Sequence, residues 1–231
     1  MNVDDWVKLL DAVAKLVAAF VWPGLIAFVL WRFAPSLRNF FEALGEFSLK
    51  GAGFEASAKR KGEAAALLVA AEARRTNDSE ETPRSGMDLH AAGKLVDQEV
   101  TPRVLRKLGQ ASVLWVDDHP QNNVYERQSL EALGARFALA KSTEEALALV
   151  QAQPFDAIIS DMSRPPDDQA GFTLLGKLRS IGNTAPFIIY ASANIVARRA
   201  EALKRGAVGC TNRPSELFEH VLSVIRSRDV R

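Results

Sequence analysis

The 231 residues contain one cysteine, Cys210, which excludes an internal disulfide and points to a reducing compartment. The three histidines, His90, His119 and His220, are dispersed, and no spacing of Cys and His forms a zinc site. Neither charge sign is in excess, with 29 Lys+Arg against 28 Asp+Glu. A dedicated nucleic-acid binder would show a basic surplus on one domain, so none is expected here. There is no glycine-rich phosphate loop and no nucleophile–base pair, which argues against an enzyme acting on a small-molecule substrate. Long apolar runs are scarce as well, although a hydrophobic content of 48% is ample for a core.

The one long charge-free run is Leu16–Trp31, sixteen residues between Lys15 and Arg32. A membrane span needs about 20 apolar residues, and snorkelling of Lys15 and Arg32 with Val13, Ala14, Phe33 and Ala34 supplies the difference. We therefore expect a single transmembrane helix over about residues 13–34 within an N-terminal segment 1–35. Asp4, Asp5 and Asp11 spoil the basic start of a signal peptide. The excess of Arg and Lys after the run places the bulk of the chain on the cytoplasmic side, as a single-pass protein of the inner (cytoplasmic) membrane.

Residues 36–75 read as a juxtamembrane hairpin and a helix. Phe47–Lys50 and Phe54–Ala58 alternate as two strands around Gly51-Ala-Gly53, and Arg60–Arg75 is alanine-rich and helical. Residues 76–109 begin as a polar linker, then carry a helix from about Met87 to Val100. A shorter helix, capped by Thr101 and opened by Pro102, runs to Leu108. The apolar stripe of Leu89, Ala92, Val96 and Val100 serves either packing against the last domain or a dimerising stalk.

From residue 110 the pattern alternates between strand and helix. Strands are expected at Ser112–Asp117, Ala135–Ala140, Phe155–Ser160, Pro186–Tyr190 and Ala207–Cys210. Helices are expected at Pro120–Leu133, from the Ser142–Glu145 capping box to Gln151, from about Gly171 to Ile181, at Ile195–Lys204 and at Ser215–Ile225. Such alternation gives an α/β fold, a doubly wound five-stranded parallel sheet of flavodoxin-like type, with ligands at the carboxyl ends of the strands. Asp117, Asp118 and Asp161 all fall at those ends. Adjacent carboxylates are costly unless a cation lies between them, so the trio points to a metal. Asp167 and Asp168, by contrast, sit in a loop and read as turn chemistry. Arg198, Arg199, Lys204 and Arg205 read as a solvated helix face, and Cys210 as a small core residue.

The segment Val113–Ile225 resembles a response-regulator receiver domain, the phosphoaccepting half of two-component signalling. The resemblance is carried by Val113-Leu-Trp-Val-Asp-Asp118 with Pro120, by Phe155-Asp-Ala-Ile-Ile-Ser-Asp161 with Pro165, by Gly171-Phe172, by Gly206-Ala207 and by Arg213-Pro214. It implies that Asp161 is the phosphoacceptor. It also implies that Asp117, Asp118 and Asp161 hold Mg²⁺ together with the backbone carbonyl of Ser163. The family carries Ser or Thr at the end of the fourth strand, where this chain has Ala191, with Ser192 one residue later. Arg213 stands at the family's lysine and Cys210 at its aromatic switch position. Ala191, Ser192 and Arg213 are therefore the candidate phosphoryl-contacting positions.

The function so implied is a membrane-anchored, stand-alone receiver, a signalling switch rather than an enzyme. Its partners would be a histidine kinase or phosphotransfer protein, the membrane, and a second copy of itself in a homo-oligomer. Two other readings are a degenerate receiver serving as an interaction module, and a membrane assembly formed by the N-terminal part and gated by the receiver.

Overall fold

The computed structural model describes residues 55–75, 87–191 and 195–228. The expected membrane span, the first strand of the expected hairpin and the polar linker lie outside the described residues. Among the described residues no helix is long and apolar enough to cross a membrane. The chain divides into two compact units, Met1–Ala56 and Ser57–Arg231, and the second carries the sheet.

Five strands form one parallel sheet in the order β2-β1-β3-β4-β5, the flavodoxin-like arrangement. They are β1 (Ser112–Val116), β2 (Arg136–Ala140), β3 (Ala157–Ser160), β4 (Phe187–Tyr190) and β5 (Gly209–Thr211). Strands β1, β3 and β4 are apolar at nearly every position because both faces of a parallel sheet are covered. Alternation then divides their side chains. Val113, Trp115, Ile159, Ile188 and Tyr190 enter one core, and Leu114, Val116, Ile158, Phe187 and Ile189 the other.

The second core is closed by α5 (Thr143–Ala152), α6 (Ala170–Ser180) and α7 (Ile195–Lys204). Helix α5 opens at the expected cap: Ser142 Oγ accepts from Glu145 N at 3.1 Å, and the Glu145 carboxylate reaches one residue past the cap to accept from Lys141 N at 2.7 Å. The first core is closed by α4 (Val124–Glu131, after a 3₁₀ turn Pro120–Asn123) and α8 (Pro214–Ser227). On α8 the apolar residues Leu217, Phe218, Val221, Leu222 and Ile225 recur on one helical face.

Three further helices lie on this first core: α1 over 55–75, α2 (Leu89–Glu99) and α3 (Pro102–Leu108). Helix α1 contributes Ala64, Ala65 and Leu68; α2 contributes Ala92 and Val96; Val100, between α2 and α3, follows, and α3 contributes Val104, Leu105 and Leu108. Of the expected stripe, Ala92, Val96 and Val100 thus pack inward, while Leu89 is exposed. Helix α1 is pinned at its far end, where buried Glu72 accepts a hydrogen bond from Ser215 N at 2.9 Å and so caps α8.

Two sequence expectations need correction. Residues 55–58 are helical rather than the second strand of a hairpin. Glu55-Ala-Ser-Ala continues without a breaker into the alanine-rich run, and helix propensity prevails over a four-residue alternation. Strands β3 and β5 each begin two residues later than expected; at β5, Ala207 N is used to close α7 on Ala202 O at 2.9 Å.

Candidate functional site

Strands β1 and β3 are neighbours, with Val116 paired to Ser160, so the residues just beyond them leave the sheet side by side. Asp117 N donates to Ala140 O and Asp161 N to Val116 O, both at 2.9 Å, and these bonds fix where each carboxylate starts. The result is a cluster in which Asp117, Asp118 and Asp161 each offer a ligand oxygen within 4.8 Å of the others. Asp117 is buried, while Asp118 and Asp161 are half-buried.

Each carboxylate is oriented. Asp117 accepts from His119 N at 2.7 Å through one oxygen and from the Asn123 side-chain amide through the other. His119 Nδ1 lies 2.9 Å from Asp118, so this exposed histidine both opens the 3₁₀ turn and flanks the acidic pair. Asp161 accepts from Met162 N at 2.7 Å. Burial, followed by the charges of Asp117 and Asp118, pushes the Asp161 carboxyl up to about 6, with Met162 N–H and Arg164 opposing.

A buried guanidinium braces the end of β3. Arg164, 4% exposed, donates to Ser160 Oγ and to the Asp161 carbonyl, each at 2.6 Å, to Thr143 Oγ1 at 3.2 Å and to Ala170 O at 3.1 Å. It ties the end of β3 to the starts of α5 and α6. Gly171 is needed beside it, because a Cβ there would stand 3.0 Å from Asp161 O and 3.2 Å from Met162 Cα, both backbone. Asp167 accepts from Gln169 N at 2.8 Å and from Thr173 Oγ1 at 2.7 Å, as the turn reading expects.

Above the carboxylates opens a cavity of about 650 Å³, lined by the acidic trio, His119, Ser163 and Tyr190 and, from α1, by Arg74 and Arg75. Arg75 donates to Asn123 Oδ1 at 2.9 Å and to the Tyr190 hydroxyl at 3.1 Å, and its guanidinium covers the Tyr190 ring at 4.3 Å. Tyr190 donates to Glu126 at 2.9 Å. Burial raises the Glu126 carboxyl above its ordinary value, and burial followed by the Glu126 charge raises the Tyr190 phenol.

The structure therefore unites Asp117, Asp118, Asp161 and Ser163 at one cavity. Of the candidate phosphoryl-contacting positions, neither Ala191 nor Arg213 lines that cavity. Ala191 is fully buried with its N–H on Thr211 O, and Ser192 lies outside the described residues. Arg213 is not among the lining residues and lies 3.4 Å from Glu216. Sequence reasoning missed Asn123, Arg164, Arg74 and Arg75. Asn123, at a helix start six residues after Asp117, left a readable signal; the arginines act through contacts remote in sequence or with backbone carbonyls.

Oxygen donors on three clustered carboxylates are the donor set a hard divalent cation takes, and Asp117, Asp118 and Asp161 could hold Mg²⁺ together with a carbonyl. The family model of the response regulator receiver domain matches residues 113–223. A curated relative from Leptolyngbya boryana, an uncharacterized 14.6 kDa protein, is 31% identical over 117 residues, covering 50% of this chain and 88% of its own. The sensor histidine kinase RcsC of Escherichia coli K12 is 29% identical over 105 residues, 46% of this chain and only 11% of the kinase. Among solved structures, the chemotaxis response regulator CheY4 of Vibrio cholerae is 27% identical, covering 49% of this chain and 98% of that one, with a TM-score of 0.43. The chain belongs to the response regulator receiver family, through the domain that occupies its C-terminal half. Its C-terminal half is thus a receiver domain of two-component signalling.

Proposed function

We propose that Asp161 accepts a phosphoryl group from a histidine kinase or phosphotransfer protein and that the chain signals through protein–protein contact. The observation that carries this is the trio itself, three oriented carboxylates at adjacent strand ends beneath an open cavity. In the transfer, an Asp161 oxygen bonds to phosphorus while the bond from phosphorus to the donor's imidazole nitrogen or acyl oxygen breaks. The leaving group departs with that electron pair. Asp117 and Asp118, with Asp161 and the Ser163 carbonyl, would hold Mg²⁺. The chemistry that ion supplies is neutralisation of the phosphoryl oxygens and of the acidic pair. Asn123 and His119 N–H keep Asp117 aimed at the site, and Arg164 fixes the carbonyl end of Asp161. The carboxylate must be ionised to attack, and a bound cation favours that form against the burial that raises its pKa.

The charge-free run Leu16–Trp31 supports a further part of the proposal, anchorage of the N-terminal segment in the cytoplasmic membrane with the receiver on the cytoplasmic side. Full-length protein in the membrane fraction, resistant to salt and released by detergent, is the expected outcome. Recovery in the salt wash would rule the anchor out.

Phosphoryl uptake is tested by incubating the chain with acetyl phosphate and Mg²⁺ and measuring intact mass. A gain of one phosphoryl group, absent without Mg²⁺ and absent in Asp161→Asn, is expected. An equal gain in Asp161→Asn, or none in the parent, defeats the proposal.

A further inference from the structure

A phosphoryl group on Asp161 would place anionic oxygens in a cavity already lined by three carboxylates, so a cation besides the metal must face it. Four arginines can be weighed for that role. Arg213, at the position the family gives to lysine, pairs with Glu216 and does not line the cavity. Arg164 does not line it either, and both its terminal nitrogens are engaged by Ser160, Thr143 and two carbonyls. Arg74 and Arg75 do line it, and both come from α1, which precedes the alternating strands and helices that carry the acidic trio.

We propose that Arg74 and Arg75 are the cationic ligands of the phosphoryl group, so that filling the site and docking α1 are one coupled equilibrium. The inference rests on the phosphoacceptor reading above. Arg74 donates to Gln121 O at 3.3 Å, a bond long enough to exchange for one to an anionic oxygen. Arg75 reaches Asp117 through a single intermediate: it donates to Asn123, whose amide donates to Asp117. Its charge is also read by Tyr190 and Glu126 on the receiver. The helix carrying both is held by Leu68 in the core and by Glu72 at the start of α8, so the guanidinium groups are positioned rather than trailing. An anion that binds the docked state better must, by reciprocity, tighten docking. Release of the phosphoryl group then loosens α1.

The test uses the full chain saturated with Mg²⁺ and beryllium fluoride as the phosphoryl probe, with affinity read by calorimetry and amide exchange read over residues 57–75. Arg74→Gln should weaken the probe by about tenfold, as expected for loss of one charge-assisted hydrogen bond, and Arg75→Lys by a similar factor. Arg213→Gln should stay within about twofold of the parent, on the same scale. The probe should slow exchange in 57–75 in the parent and not in Arg74→Gln, whose melting temperature serves as the folding control. If the parent binds the probe through Asp161 but Arg74→Gln and Arg75→Lys bind equally well, this inference falls and the phosphoacceptor reading stands. If the parent binds no probe, that reading falls and takes this inference with it.

Discussion

Replacing Asp161 with asparagine should stabilise the metal-free protein at neutral pH, and the amount comes from the geometry. Unfolded, the carboxyl titrates near 3.8; folded, burial and the neighbouring Asp117 and Asp118 raise it to about 6. Below the lower value it is protonated in both states and costs nothing. As pH rises through the window the folded state is left holding a carboxylate that water would hold better, and the penalty is complete above about 6. At about 1.4 kcal/mol per pH unit the gap amounts to about 3 kcal/mol, or about 2 kcal/mol once solvent screening of this half-buried group is allowed for. Asparagine keeps the size and the acceptor for Met162 N–H, so the charge is what changes. For a unit of this size the effect is roughly 4–8 °C in melting temperature. The assay is a pair of thermal melts in chelator. At pH 7.5 Asp161→Asn should melt above the parent by that amount, and the gap should shrink steadily as pH falls, vanishing only below the unfolded value of 3.8. Mg²⁺ should reverse the order by stabilising the parent, by about 2.7 kcal/mol at a hundredfold excess over its Kd. An Asp161→Asn protein that is less stable at pH 7.5, or a gap that does not change with pH, would refute the reasoning.

Three other substitutions test the supports of the site. Gly171→Ala places a Cβ 3.0 Å from Asp161 O, and since the obstacle is backbone, a loss of about 1–3 kcal/mol with weakened Mg²⁺ binding is expected in a urea and metal titration. Arg164→Met strips the donors from Ser160, Thr143 and two carbonyls and should cost about 3–5 kcal/mol in the same urea assay. Leu68→Ala removes a fully buried side chain between α1 and the receiver and should cost about 2–5 kcal/mol. An unchanged urea midpoint would show that the upstream helix does not share the core.

The order of elements in the receiver was legible because each parallel strand is a short, doubly buried run and each helix keeps an apolar stripe. Ser142–Glu145 and Thr101-Pro102 even marked helix starts to the residue. The acidic trio was legible for a related reason: a carboxylate just past a buried strand has one place to go, the sheet's carboxyl edge. What could not be read depends on partners far away in the chain. Helix α1 offers mostly alanines, so its stripe gives little sign that α8, more than 140 residues on, is its partner. Arg164 reads as a loop charge because its acceptors are carbonyls and hydroxyls rather than acids. Arg213 was counted to the family's lysine position, and its side chain's pairing with Glu216 is a tertiary outcome.

Asp161 as the phosphoacceptor is the central claim, and one chemical measurement addresses it directly. After treatment with acetyl phosphate and Mg²⁺, borohydride reduction converts an aspartyl phosphate to homoserine, which peptide mass spectrometry locates. Homoserine at position 161, and at neither 117 nor 118, is the predicted result. Homoserine elsewhere, or none in a protein that binds Mg²⁺, would contradict it.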